Sequence, residues 1–481
     1  MAEHLDVLVV GAGISGIGAA YYLKNRCPER TFAVLEGRPN IGGTWDLFRY
    51  PGIRSDSEMY TLGYAFHPWT ADKSIAKAPL ILDYLNDTID TYGIRPHIRY
   101  QHKVISASFS TPDARWTVQI ANGESGETIE ITCNFLFMCS GYYNYDEGHC
   151  PDFPGRDDFA GQVVHPQFWP DDIDYTGKKV VVIGSGATAV TLIPELAKKA
   201  RKVTMLQRSP TYIVAGPSED KIALWLRDRL PKKTAYRLSR WRNVLVHQFF
   251  FTLARRAPKF ARKQIREGQL PYLPDDFDFS HLDPQYNPWD QRICLTPDAD
   301  FFDAIKDGVA EIVTDTIETF TETGLKLTSG TDLEADLIVT ATGLKLQFLA
   351  GVPLVVDGEA IKLSDLLTYK AMMFSGVPNM ALSFGYTNAS WTLKSDLTGE
   401  YVCRLLNHMK RKGYRVCVPE NHDPSVNDTP FLDFTSGYIT RALADMPKQG
   451  SKAPWKMYQN YPLDLLMIRY GRIDDKAMQF S

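Results

Sequence analysis

Cysteine is scarce and poorly arranged in this chain. Seven are scattered over 481 residues (Cys27, Cys133, Cys139, Cys150, Cys294, Cys403 and Cys417), with no C-x-x-C pair. An odd, dispersed set is not a disulfide framework and offers no dithiol redox centre, so a reducing, cytoplasmic compartment is expected. No H-E-x-x-H and no cysteine–histidine cluster suggests a metal, so none is expected. Ser185 lacks the G-x-S-x-G frame of a nucleophile elbow. No apolar run approaches the roughly 20 residues a membrane helix needs. A formal charge of −4 gives no bulk attraction to nucleic acid, and no such partner is expected. Glu3 and Asp6 interrupt the start of the chain, so a secretory leader is not expected. What remains is an ordinary globular composition, long enough for two or three domains.

Glycine is placed with purpose. An apolar strand, Leu5 to Val10, runs into Gly11-Ala12-Gly13-Ile14-Ser15-Gly16 and then into a helix-like run through Leu23. This is G-x-G-x-x-G between a strand and a helix. Gly11 permits the tight turn, Gly13 lets the backbone approach a pyrophosphate, and Gly16 lets helix and strand pack closely. A second strand, Thr31 to Leu35, ends at Glu36, twenty residues beyond Gly16. That is where a carboxylate meets a ribose hydroxyl.

The unit recurs. The strand Lys179 to Ile183 leads into Gly184-Ser185-Gly186-Ala187-Thr188-Ala189, and the next strand, Val203 to Leu206, ends in Gln207-Arg208-Ser209. Arg208 stands where Glu36 stood in the first unit. A carboxylate repels a ribose 2′-phosphate and a guanidinium pairs with it. The first loop therefore reads as a dinucleotide site without that phosphate. The second reads as an NADPH site, with Gly184, Ser185, Gly186, Thr188, Arg208 and Ser209 as its residues. Two dinucleotide sites in one chain imply a flavoprotein. With dithiol and metal disfavoured, molecular oxygen is the simplest electron acceptor.

Between the loops, Phe159-Ala160-Gly161-Gln162-Val163-Val164-His165-Pro166-Gln167-Phe168-Trp169-Pro170 resembles, at every position, the F-x-G-x-x-x-H-x-x-x-W-P fingerprint of type I Baeyer–Villiger monooxygenases. Gly42-Gly43-Thr44-Trp45 followed by Tyr50-Pro51-Gly52-Ile53-Arg54-Ser55-Asp56 is similar to the family's second signature. The stretches beginning at Tyr142, Tyr286 and Gly385 look most like the mycobacterial ethionamide-activating branch. The resemblance implies conversion of ketones to esters or lactones through a flavin C4a-peroxide. It places the catalytic arginine at Arg292 and its orienting partner at Asp56, and it puts Gly43, Thr44, Trp45 and Asp56 on the flavin side. It makes His165 a linker residue rather than a base, and Trp45 and Trp169 packing or linker residues. Many relatives carry lysine before the catalytic arginine; here the residue is Gln291, which leaves Arg208 with less help. A rival reading is oxygenation of sulfur or nitrogen in sulfides, thioamides or amines. Another is a flavin reductase that inserts no oxygen.

The expected fold is α/β, with two Rossmann-like dinucleotide-binding domains and a helical insertion. Residues 1–142 and 344–481 form the FAD domain, 143–215 and 290–343 the NADP domain, and 216–289 the insertion. The small residues after Phe135 to Cys139 and after Leu337 to Thr340 mark the crossings. Gly376-Val377-Pro378-Asn379 and Gly385 are expected on the flavin-ring side. The insertion is rich in arginine and lysine, interleaved with Trp225, Trp241, Phe249, Phe250 and Phe251. Contact with an anionic membrane surface is one reading of it. A helical cap with solvated arginines is the preferred one, with little or no vesicle binding expected.

Overall fold

The computed structural model describes residues 3–432 and 434–481. Its first sheet is built around the strand Glu3–Val10, which pairs in parallel with Phe32–Leu35 on one side and Thr128–Met138 on the other. Val7 and Val9 enter one hydrophobic cluster while Leu8 and Val10 enter another. Burial on both faces explains the unbroken apolar run. The long strand Thr128–Met138 has two partners along one edge. Its first half pairs antiparallel with Arg115–Asn122, and its second half pairs in parallel with Met380–Leu382.

The second sheet is wholly parallel. Its order is Ala310–Thr314, Lys202–Gln207, Lys179–Ile183, Leu337–Thr340 and Gln162–Val164. Its central strand again splits between clusters, with Val180 and Val182 on one face and Val181 and Ile183 on the other.

The two chain crossings between the sheets meet. Tyr143–Gly148, leaving the first sheet, and Leu344–Leu346, returning to it, form a two-stranded antiparallel ribbon. The stretch between the strands Ile213–Gly216 and Cys294–Pro297, which pair in parallel, carries the helices Lys221–Arg229, Lys232–Arg256 and Pro258–Gln269.

Two expectations need correction. Gly376 to Asn379 does not lie on the flavin side. It precedes Met380–Leu382, and because that strand runs parallel to Glu3–Val10 through Thr128–Met138, the segment sits at the sheet edge opposite the glycine loop. Asn379 is buried there and is spent on structure, its amide donating to Asn134 O and Arg415 O (3.0 and 2.9 Å). Gly385, past the other end of the strand, is on the loop side. The arginines of the insertion are also not all solvated. Arg240 is 6% exposed. It donates to the carbonyls of Tyr60, Thr61 and Gly63 (2.9, 3.1 and 2.6 Å) and pairs with Asp396 at 3.3 Å.

Candidate active site

Both glycine loops are built in the same way. Gly11 has φ +101°, and a Cβ there would lie 2.7 Å from Cys139 O. Gly184 has φ +129°, and a Cβ would lie 2.3 Å from Ala341 O. In each unit, then, the turn is pressed against the small residues of a domain crossing, and only glycine fits. The middle glycines differ. A Cβ on Gly13 would meet Gly43 Cα at an ordinary 3.6 Å, and one on Gly186 would meet nothing within 4 Å. Gly186 therefore faces open space, while Gly13 lies in ordinary contact with the Gly43 backbone and is not tightly packed. Gly13 and Gly186 are the N-caps of the helices Ile14–Arg26 and Ala187–Leu196, and neither helix has a side-chain cap. The free first-turn N–H groups and the helix dipole suit an anionic group, which is what a pyrophosphate needs.

Around the first loop, Glu36 accepts from the backbone N–H of Ala12 (2.8 Å) and of Arg38 (3.0 Å). Burial pushes its carboxyl up, against the pull of those hydrogen bonds. Thr44 and Trp45 open the short helix Thr44–Leu47 immediately after Gly43, and the Tyr145 hydroxyl would lie 3.2 Å from a Cβ on Gly43. A second helix N-terminus enters from far along the chain. Trp391 starts the helix Trp391–Lys412, and its indole N–H donates to Ser15 Oγ at 2.7 Å. Gly399 of that helix faces Tyr22, so the two helices pack closely.

The Tyr50-to-Asp56 signature bridges the domains. Burial pushes the Tyr50 hydroxyl up to about 12, with Thr188 of the second loop opposing the rise. A Cβ on Gly52 would lie 2.9 Å from Thr191 O, so the turn is seated on the helix Ala187–Leu196. Arg54 pairs with Asp300. At the end of this bridge Asp56 meets Arg292: Arg292 Nη2 is 2.8 Å from Asp56 Oδ2, with the two side chains 34% and 41% exposed. Asp56 holds the guanidinium above its already high ordinary value. Two residues on, burial pushes the Glu58 carboxyl up to about 7.

Aromatic side chains stand near Arg292. The Tyr142 and Tyr143 hydroxyls are 3.1 Å apart. Tyr142 stacks on Trp391 at 5.3 Å and tilts against Phe384 at 5.4 Å. Burial raises Tyr142, Tyr143 and Tyr438, and the charge of Arg292 opposes the rise in all three. These hydroxyls therefore stay protonated and can donate hydrogen bonds. The sequence named Tyr142 and Tyr143 only within a resemblance, and Tyr438 not at all.

On the second loop, Ser185 Oγ donates to Ser209 O at 3.2 Å, tying the loop to the strand end that bears Arg208. Arg441, which sequence reasoning missed, joins them from the helix Gly437–Ala442. A Cβ on Gly343 would lie 3.5 Å from its Nη2. Burial and the positive charge of Arg208 both lower the Arg441 guanidinium. Among the described residues, neither arginine has an ion-pair partner. Two cations drawn together without a carboxylate suit a phosphate.

The fingerprint residues sit at the hinge. Both His165 nitrogens bond to backbone groups: Nδ1 accepts from Gln167 N–H and Nε2 lies on Gly343 O, each at 3.2 Å. Burial lowers its pKa, favouring the neutral ring. Phe159 is buried in a cluster with Phe320 and Ile338, and a Cβ on Gly161 would lie 2.6 Å from Asp336 O. Trp169 packs on the core of the second sheet. His165 thus clips the fingerprint segment to the crossing ribbon.

Two uncapped glycine-loop helices, opposite charges at their distal strand ends and an ion pair at the end of the segment linking them define the class, a flavoprotein oxygenase with two nucleotide sites. The chain belongs to the flavin-binding monooxygenase-like family, which it matches over residues 6–374. It is 53% identical to the FAD-containing monooxygenase EthA of Mycobacterium tuberculosis, over 100% of this chain and 98% of that protein. It is 48% identical to the probable FAD-binding monooxygenase AlmA of Acinetobacter baylyi, over 100% and 97% of the respective chains. Its fold is like that of an oxidized steroid monooxygenase bound to NADP (TM-score 0.76, 24% identity, 99% of each chain). It is also like cyclohexanone monooxygenase in an open crystal structure (TM-score 0.74, 20% identity, 100% of each chain). The protein is accordingly an NADPH-dependent oxidoreductase that uses FAD.

Proposed function

We propose that this monooxygenase inserts an oxygen atom beside a ketone carbonyl, giving an ester or lactone. The observation that carries the reading is the Arg292–Asp56 pair at 2.8 Å, at the end of the segment that links the two nucleotide loops. The Gly11–Gly16 loop, Glu36 and the Gly43–Trp45 turn would hold FAD, which when bound and reduced by NADPH would supply the activated oxygen. NADPH would lie on the Gly184–Thr188 loop, with its 2′-phosphate toward Arg208, Ser209 and Arg441.

The chain's own work is electrostatic. As oxygen adds to a carbonyl carbon, negative charge develops on the carbonyl oxygen. Arg292 is a fixed cation that holds that charge without titrating. Asp56 orients the guanidinium and moderates its field. Tyr142 and Tyr438, kept protonated, can donate hydrogen bonds, and the Phe384 and Trp391 rings exclude water. His165 takes no part in proton transfer, because both its nitrogens are engaged by backbone.

The test is turnover of a panel of cyclic and linear ketones, together with a dialkyl sulfide and a thioamide, with product identification. Ester or lactone is the expected product. S-oxide formation with no ester from any ketone would replace this reading with heteroatom oxygenation.

A further inference from the structure

The helix Lys232–Arg256 has two unlike sides. One grips the FAD domain, burying Ala235, Tyr236, Ser239, Arg240, Asn243 and Val244. The Tyr236 hydroxyl donates to Tyr64 O at 2.9 Å. The other side carries Leu238, Trp241, Leu245 and Phe249, spaced i, i+3, i+7 and i+11 and so stacked on one stripe. These four are 48%, 40%, 56% and 62% exposed. Val246 and Phe250, equally exposed, widen the stripe. A surface helix ordinarily turns its polar stripe outward. Here the outward stripe is apolar, and the buried side carries Arg240 among its apolar residues.

The apolar area extends beyond the insertion. Trp241 lies 5.8 Å from the Tyr461 ring, and the chain then runs into Leu465–Tyr470, where Leu466 and Tyr470 are 60% and 70% exposed. An exposed apolar stripe such as that on the helix Lys232–Arg256 marks an interaction site.

The charges beside it choose the partner. The 25 residues of the helix contain no aspartate or glutamate. Lys232, Lys233 and Arg237 are exposed at its start, next to Leu238, and Arg256 is exposed at its end. The chain as a whole carries −4, so this basic edge is a local asymmetry. A second copy of the chain would bring the same patch against itself, cation against cation. An anionic bilayer supplies both an apolar layer for the stripe and negative headgroups for its edge. Among the described residues no helix is long and apolar enough to cross a membrane, so the contact is interfacial.

We propose that this face docks on the surface of an anionic phospholipid bilayer, with Trp241, Leu245 and Phe249 seated at the acyl-chain boundary and Lys232, Lys233 and Arg237 among the phosphates. This revises the solvated-cap expectation, because the residues that decide it are exposed rather than packed.

The test is co-sedimentation of the FAD-loaded protein with vesicles of equal parts phosphatidylcholine and phosphatidylglycerol, against vesicles of phosphatidylcholine alone. The protein is expected in the pellet with the anionic vesicles and largely in the supernatant with the neutral ones. Salt should weaken the binding, since exposed charges are screened. Replacing Trp241, Leu245 and Phe249 with serine should lower partitioning about tenfold for each side chain withdrawn. The exposed Lys232→Glu, Lys233→Glu, Arg237→Glu variant should abolish the preference for anionic lipid. Flavin content reports that each variant is folded. Three results would each overturn the proposal: no pelleting with anionic vesicles, equal pelleting with neutral ones, or a dimer in solution that the serine variant dissolves while vesicle binding stays absent. The readout is binding and not turnover, so it stands or falls separately from the ketone reading.

Discussion

Arg208 and Arg441 lie far apart in sequence, yet both are drawn to the second loop, and one lowers the other's pKa. A charge-assisted hydrogen bond contributes about 1.5–3 kcal/mol, roughly ten- to a hundredfold in affinity. Arg208→Ala should raise the KM for NADPH by that factor while leaving the KM for NADH nearly unchanged, and Arg441→Ala should do the same more weakly. Equal effects on both nicotinamides would show that neither guanidinium meets the 2′-phosphate. Arg208 was legible because it follows a strand after a glycine loop, at a spacing set by the βαβ unit. Arg441 was not, because its helix reaches the loop only through tertiary packing. The same holds for Tyr438. Arg292 was legible through resemblance alone, since an isolated arginine after a loop is ordinarily solvated.

At the scale of elements, the two middle glycines make a clean experiment. Gly13 has φ −79° and Gly186 φ −78°, which any residue adopts, and a Cβ at either meets no tight contact. Gly16 is different: its Cβ would lie 1.8 Å from Gly11 O, so replacing it disturbs the fold itself. Gly13→Val should therefore yield folded but colourless protein, the side chain standing where the pyrophosphate lies. Gly186→Val should stay yellow and lose reduction by NADPH. Absorbance at the flavin band, with circular dichroism as the check on folding, reads both. A fully yellow Gly13→Val protein would remove FAD from the first loop. These loops were readable because strand, glycine spacing, helix and distal charge are all local. Gly376 to Asn379 was misread because a G-x-P-N turn looks alike at either end of a strand. Only the parallel register of Met380–Leu382 against Thr128–Met138 decides which end it occupies.

At the scale of the whole molecule, the insertion is fastened to the FAD domain by a buried charge. Arg240 and Asp396 have side chains 7% and 4% exposed. Removing one partner of a buried pair leaves the other uncompensated and costs about 3–5 kcal/mol. Arg240→Ala should lower the unfolding midpoint in urea accordingly, because Asp396 and three backbone carbonyls lose their donor. Arg237→Ala, on the exposed side of the same helix, should change stability by less than about 0.5 kcal/mol. A neutral Arg240→Ala would mean that the helix is held by its apolar contacts alone. Composition showed that the segment was basic and helical, but which arginine turns inward depends on the surface of the FAD domain, which the insertion's own sequence does not contain.

The account rests most heavily on Arg292, and the measurement that tests it most directly is ester formed per NADPH consumed in Arg292→Ala. The flavin-side residues Gly11, Gly13 and Glu36 belong to other elements, so this variant should remain yellow and still oxidise NADPH. Removing a preorganised charge donor typically costs about a hundred- to a thousandfold in rate. Ester should therefore nearly vanish, with the electrons recovered as hydrogen peroxide. Asp56→Ala, which leaves the guanidinium in place but unoriented, should show a milder form of the same uncoupling. An ester-to-NADPH ratio in Arg292→Ala close to that of the unmodified enzyme would contradict the account.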